Sequence, residues 1–317
     1  MVIAMLFHLA SASLIFALGK ENDDLRRCSD AYATLFSKEE YFVGTFALIT
    51  SVLKYQISPR TVLVLIPRGQ DKLKELGSLL ETVGATIVFV DPIPNPYRPS
   101  VKRFVGSSVM SKLHIFNMTD YNNILFLDSD QLVLQSPDKL FEFEPFAAVQ
   151  RHGTPHLFWS SCMLIRPSNV DFQTMMDQIG YLESYDGADQ GFLNSYFKKL
   201  WTAEVRLPQS KHVMPTMMFP AVHVVGKKAH LSDVLRNSTI GVHFGGSHHK
   251  PWSKFTTKRH GQTFQMFQNL WLQHVQDVLN DSTVAVKDLK QKVGLYLRSR
   301  SNKTYPCFSC ESTNTKL

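Results

Sequence analysis

Two aspartates separated by one residue, Asp128 and Asp130, follow the apolar run ILFL (residues 124–127) within the stretch NILFLDSDQLVL (residues 123–134). An unbroken apolar run that turns abruptly polar is the pattern of a strand buried on both faces where it leaves a parallel sheet. Both acids then lie at the strand's carboxyl end, the edge where ligands bind in open α/β sheets. Two carboxylates this close repel one another, and holding them there requires a compensating cation or proton. A hard divalent ion that also bridges to substrate phosphates meets that requirement.

A second stretch, IGVHFGGSHHKPW (residues 240–252), places His243 at the end of an apolar strand, then two glycines, then Lys250. Glycine lets a backbone approach a ligand closely, and lysine supplies a point charge for phosphate. Asp128, Asp130 and His243 offer two oxygens and one nitrogen, a set that suits manganese better than calcium and leaves open positions for a diphosphate. Such an ion would neutralise charge building on a departing diphosphate. A third stretch, YDGADQGFLNSYF (residues 185–197), carries Asp186, Asp189 and Gln190 in a polar turn that reads equally as the cap of the next helix. Each motif alone has a bland reading: a single histidine on a strand is more often core than ligand. A strand ending in D-x-D also opens aspartyl-phosphate phosphatases, with Asp128 as nucleophile and Asp130 as acid, but the downstream lysine and acidic pair of that fold do not stand out.

The elements that must carry these residues follow from periodicity. Strands are predicted at 31–36, 61–66, 85–90, 146–150 and 162–165 around the acidic strand. Helices are predicted at 39–55 (Phe42, Phe46, Ile49 and Leu53 at helical spacing), 72–83 with Gly84 as its stop, 101–117, a short turn opened by Ser136 and Pro137, 170–182, 189–201 and 261–279. Strand and helix alternate as in βαβ units, so the expected class is α/β, a mostly parallel central sheet flanked by helices. Residues 91–100 are proline-rich and form a loop. Residues 205–225 hold three prolines and several methionines, which read as irregular packing rather than ligands.

With 317 residues, 44% of them hydrophobic, the chain can bury a large core. Its net charge of +7 fits an anionic ligand, while the scatter of Lys and Arg argues against nucleic acid. A basic cluster near the C-terminus (Lys287, Lys290, Lys292, Arg298, Arg300, Lys303) reads as a solvated tail. Residues 1–19 are mostly apolar and end with Ala17 and Gly19 spaced as a cleavage site, so they are expected to be a signal peptide or a signal anchor that tethers the protein to a membrane. That places the protein in the secretory pathway, in the Golgi lumen or secreted, and in the cytoplasm if the segment is no signal. Sequons at Asn117, Asn237, Asn280 and Asn302 are compatible with that route. Four cysteines (28, 162, 307, 310) are too few for a disulfide scaffold, and Cys307 with Cys310 makes only half of a zinc site. The expected organisation is a leader at 1–19, one domain at 28–280 and a mobile basic tail at 281–317.

Taken together, SKLHIFNMTDYNNILFLDSDQLVL (residues 111–134), YDGADQGFLNSYF and HFGGSHHKPW (residues 243–252) resemble, in order and spacing, glycosyltransferase family 8 and its glycogenin-like members. The likeness runs from about residue 31 to about residue 271. It implies a GT-A fold, the Rossmann-like nucleotide-diphospho-sugar transferase architecture. It also implies retaining, manganese-dependent (or magnesium-dependent) transfer of a hexose or related sugar from a UDP-sugar to a glycan or glycoprotein acceptor. Carried over, Asp128, Asp130 and His243 correspond to the metal ligands, with Ser129 between the acids. Leu35, Ser37 and Tyr41 fall where uracil and ribose are held, and Arg103 and Lys112 where the donor is approached. Lys250 matches the diphosphate-binding lysine with Gly246 beside it, and Asp186, Asp189 and Gln190 match positions lining the sugar and the reacting centre. Three departures stand out. The family's Asn-Ser-Gly is Ser160, Ser161 and Cys162 here, which alters the sugar-contacting edge. The loop from His243 to Lys250 is one residue longer than in glycogenin. LPQSKHVMPTMM (residues 207–218) has no tyrosine where glycogenin carries its self-glucosylated one, which argues for a different acceptor. Retention admits a covalent intermediate on Asp189, or same-face attack in which the departing diphosphate takes the acceptor's proton; the second is favoured, because metal and Lys250 already stabilise the leaving group. A non-catalytic, lectin-like relative is the remaining alternative.

Overall fold

The computed structural model describes residues 29–97, 108–151, 154, 156–201, 217–218, 240–245, 250–252, 262–281 and 287–300. In chain order its elements are β1 (Ser29–Leu35), α1 (Phe42–Tyr55), β2 (Thr61–Pro67), α2 (Asp71–Glu81), β3 (Ala85–Val90), β4 (Tyr121–Leu127), β5 (Gln131–Val133), β6 (Ala147–Gln150) and β7 (Phe158–Ile165). Then come α3 (Asn169–Gln178), α4 (Asp189–Tyr196), β8 (Met217–Met218), β9 (Gly241–His243), α5 (Gln262–Asn280) and α6 (Lys287–Arg300), with 3-10 turns at Glu39–Tyr41, Val109–Asn117 and Pro137–Glu142. A six-stranded sheet runs in the order β3-β2-β1-β4-β7-β6, and a three-stranded sheet in the order β5-β9-β8.

β1 to β4 pair in parallel, as expected of βαβ units, while β7 runs antiparallel to β4 and to β6. Both faces of the large sheet are covered. Leu125 and Leu127 of β4 join Phe46, Val52 and Leu76 on one side; Ile124 and Phe126 join Leu113, Phe172 and Phe192 on the other. A strand buried on two sides cannot alternate in polarity, which is why 124–127 reads as a continuous apolar run. Helix α1 lies inside this stack, buried at every position from 42 to 52, because it packs on β5 as well as on α5 and α6. Gly84 takes φ 97°, the left-handed conformation expected of the helix stop before β3.

Four expectations need correction. The region predicted as a helix over 101–117 is a 3-10 turn at Val109–Asn117, and residues 101–107 lie outside those described. β7 begins at Phe158 rather than at 162, since the two serines within it hid four residues of strand from a hydrophobic pattern. The helix predicted over 189–201 stops at Tyr196 and resumes as one turn, Lys198–Trp201. The supposed mobile tail contains α6, whose Leu289, Val293, Tyr296 and Leu297 are buried in the core. Those residues sit at i, i+4, i+7 and i+8, an apolar stripe that the basic residues around it concealed. The leader at 1–19, Cys28, Cys307, Cys310, the sequons at Asn237 and Asn302 and nearly all of 205–225 fall outside the described residues. Among the described residues no helix is long and apolar enough to cross a membrane.

Candidate functional site

The chain beyond β4 is shaped by backbone hydrogen bonds. Asp128 N donates to Ser161 O of β7 at 2.9 Å, and Gln131 N donates back to Asp128 O at 3.2 Å, so the D-S-D segment is a tight turn into β5. β5 then pairs antiparallel with β9, with Gln131 opposite His243, and Phe244 N donates to Asp130 O at 2.9 Å. This ladder brings His243 to Asp130: Nε2 lies 3.0 Å from Oδ1. Asp128, Asp130 and His243 each offer a ligand atom, and the three atoms lie within 4.8 Å of one another. Two carboxylate oxygens and an imidazole nitrogen so grouped fit a borderline divalent cation.

Lys250 closes one flank. Its Nζ donates to Asp130 Oδ2 and, at 2.8 Å, to Phe244 O, and it lies 5.3 Å from the centre of the Tyr41 ring. Burial opposes ionisation of Asp130, but His243 and Lys250 outweigh it and hold this carboxyl well below the usual range. Burial also pushes the Tyr41 phenol up, reinforced by the Asp130 charge, so the hydroxyl stays protonated. Leu35 and Ser37 stand at the carboxyl end of β1, the strand beside β4, on the same sheet edge.

The other flank belongs to Lys112. Its buried Nζ is 3.0 Å from Asp128 Oδ1 and 2.6 Å from Asp189 Oδ2, and it donates to Ser160 O at 3.2 Å. Burial alone would lower its pKa; the carboxylates of Asp128 and Asp189 outweigh burial and raise it. Asp128 is pushed upward by burial, with Lys112 opposing and the Asp130 and Asp189 charges reinforcing. Asp189 opens α4 and also accepts from Ser160 Oγ at 2.8 Å. Asp186 closes the preceding turn, Oδ1 accepting from Ala188 N at 3.1 Å and Gly191 N at 2.9 Å. That is the capping role the sequence allowed, and Asp189, not Asp186, reaches the acidic pair. Gln190 Nε2 donates to Tyr185 OH at 2.7 Å. Ser161 serves through its backbone, its carbonyl accepting from Asp128 N and from Gln131 Nε2. Arg103 and Gly246 lie outside the described residues.

Over 240 residues the chain is 32% identical to inositol phosphorylceramide glucuronosyltransferase 1 of Arabidopsis thaliana, covering 75% of this chain and 41% of that protein. It is 29% identical to mouse Glycogenin-1 over 226 residues, 70% of this chain and 65% of that one. It is 36% identical over 169 residues to UDP-glucuronate:xylan alpha-glucuronosyltransferase 1 of Arabidopsis thaliana, 53% of this chain and 25% of that one. The chain is a glycogenin-like member of glycosyltransferase family 8. It spans less than two thirds of the length of these relatives. No protein-family model matches it. Among solved structures, the galactosyltransferase LgtC with donor and acceptor sugar analogs superposes with a TM-score of 0.54 at 14% identity, over 83% of this chain and 100% of that one. The WbbM bifunctional glycosyltransferase superposes at 0.56 and 14% identity, over 84% and 51%. The fold is therefore GT-A.

Within this family 8 site, the two departures in β7 acquire locations. Ser160 fastens Asp189. Cys162 is buried, paired with Leu127, and its thiol is pushed up by burial and by the Asp128 charge, which keeps it inert. Two site residues were missed in the sequence, Gly44 and Trp252. A Cβ on Gly44 would lie 2.6 Å from Ser129 O and would also collide with the Trp252 ring. Helix α1 thus presses directly on the D-S-D turn, a contact that no local pattern announces. Gly44→Ala is expected to cost about 1–3 kcal/mol through overpacking and to lower the melting temperature by several degrees. Differential scanning calorimetry of both proteins checks this; an unchanged melting temperature would mean that the turn accommodates the added methyl group.

Proposed function

We propose that the protein transfers a sugar from a UDP-sugar to a hydroxyl of a glycan or glycoprotein, with retention of configuration and with manganese held by Asp128, Asp130 and His243. The observation that carries this reading is the Asp-Asp-His group at the sheet's carboxyl edge with Lys250 on its flank, in a chain of this family. When bound, the cation supplies Lewis-acid stabilisation of the diphosphate leaving group. Lys250 adds a second positive charge on the same side, and Tyr41, Leu35 and Ser37 line the adjoining edge for the nucleoside. Lys112 holds Asp128 and Asp189 in place, its Nζ 3.0 Å from Asp128 Oδ1 and 2.6 Å from Asp189 Oδ2. Asp189 Oδ2 already accepts from Lys112 and Ser160, which blunts it as a nucleophile and favours same-face attack over a covalent intermediate. In that route the departing diphosphate takes the acceptor's proton.

The phosphatase reading is weaker, since the relatives that the chain matches are glycosyltransferases and the downstream lysine and acidic pair of that fold do not stand out in the sequence. The missing tyrosine in 207–218 supports an acceptor other than the protein itself, and the apolar leader supports action in the lumen of the secretory pathway. Release of UDP from a panel of UDP-sugars, with Mn2+ and then with a chelator, tests the proposal. One donor is expected to dominate and chelation to stop release; an absence of release from every donor would overturn it.

A further inference from the structure

Arg151 is the first residue past β6, and Arg151 N donates to Leu157 O at 2.9 Å across the hairpin to β7. Since β6 pairs with β7 and β7 with the end of β4, this hairpin lies on the same sheet edge as Asp128. The guanidinium carbon of Arg151 is 5.2 Å from the centre of the Trp159 ring and 5.6 Å from that of Tyr185. Trp159 immediately precedes Ser160, which holds Asp189, and the hydroxyl of Tyr185 accepts from Gln190. No acidic side chain among the described residues lies within 4.0 Å of this guanidinium. The cation is therefore held between two aromatic faces beside the Asp189–Gln190 end of the site, with no carboxylate of the described residues to neutralise it. Tyr185 is 43% exposed, so the flank opens to solvent.

A planar guanidinium fixed in this way is preorganised for a planar anion with two oxygens. The diphosphate is not that anion, because its charges are met on the opposite flank, at Lys250 and the Asp-Asp-His group. We infer that Arg151, framed by Trp159 and Tyr185, is a carboxylate subsite on the sugar side, and that the sugar it reads is a uronic acid. This deepens the proposed function and rests on it. Arg151 acts as a specificity residue: it favours a sugar whose exocyclic carbon is a carboxylate over one bearing a hydroxymethyl group.

UDP-glucuronate and UDP-glucose differ at that carbon alone and make the test. With Mn2+, wild type is expected to show a kcat/KM for UDP release from UDP-glucuronate at least about tenfold above that for UDP-glucose, the size of one lost charge-assisted hydrogen bond. Arg151→Met, which keeps the aliphatic packing, is expected to cut the first value about 10–100-fold and leave the second within about threefold. If the carboxylate belongs to the acceptor, the loss will instead be confined to transfer from UDP-glucose onto methyl glucuronoside and will spare methyl glucoside. Equal losses in all arms, or no loss in any, would overturn the subsite. Calorimetric Kd values for UDP-glucuronate, UDP-glucose and UDP in both proteins separate this inference from its parent. A wild type that binds these nucleotides yet releases no UDP refutes transfer, while the UDP-glucuronate to UDP-glucose affinity ratio still reads Arg151. Binding of none of them overturns both.

Discussion

Asp130→Asn is expected to lower sugar transfer by about a thousandfold, the scale at which a preorganised electrostatic partner of the leaving group acts. The substitution preserves shape and removes one negative charge from a place where Lys250 and the His243 ring both contact it and where the cation would be held. Without the Asp130 carboxylate, Lys250 keeps its buried position but loses its anionic partner, and His243 Nε2 loses the oxygen 3.0 Å away. Breaking a buried pair in this way costs about 3–5 kcal/mol, so the metal-free variant should also melt lower than wild type. Sensitivity to acid separates charge from shape. Because the folded carboxyl is held below its ordinary value of 3.8, its stabilisation is complete above that value and is lost as pH falls toward the lowered one. The wild type should therefore lose stability below about pH 4 through this group, and the variant should not. UDP release at neutral pH, with melting curves from pH 3 to pH 7, measures both effects. Full manganese-dependent turnover by Asp130→Asn would sink the metal assignment.

Lys112→Met should have an equally large effect on stability. Lys112 is the shared cation of Asp128 and Asp189, with side-chain exposures of 5%, 30% and 11% respectively. Methionine fills similar space and strands two carboxylates side by side, at an expected cost of about 3–5 kcal/mol. At about 2–4 °C per kcal/mol for a chain of this size, the melting temperature should fall by roughly 10 °C. The pH dependence is again diagnostic. The raised pKa of Lys112 means that its contribution is fully present below the ordinary lysine value and fades only as pH rises through the folded one, beyond the usual assay range. In the variant the penalty is borne by carboxylates, so acidification that protonates them should narrow the gap to wild type. Adding Asp189→Asn should restore part of the loss, because the two sites are coupled through one contact. A double variant no more stable than Lys112→Met would show that Asp189 is not the stranded charge.

The sequence read by itself determined the parallel part of the sheet, the acidic turn at its edge and the three motifs that mark the family. These are local signals. Burial on both faces leaves the run at 124–127 without alternation, and the residues of a helix face repeat every three or four positions. Chemistry at a strand end also announces itself by residue type, as with Asp128 and Asp130, and the order of the stretches holding Asp189 and His243 added the rest.

Only the tertiary structure decided how those pieces meet. That His243 reaches Asp130 depends on a three-strand ladder whose register no spacing along the chain can reveal. Lys112, expected to approach the donor, bridges two carboxylates because the 3-10 turn at Val109–Asn117 passes beneath β4 and α4, and Asp186 proved to hold its own turn while Asp189 reached the centre. The closeness of Gly44 to the acidic turn and the framing of Arg151 by two rings are likewise contacts between separate elements. Helix α6 was hidden for a related reason: charge composition describes the solvent face, while burial is set by a few apolar positions and by the surface waiting to receive them. Periodicity says which face of an element is apolar. Only packing says what that face touches, because contact energy depends on the three-dimensional register of both partners.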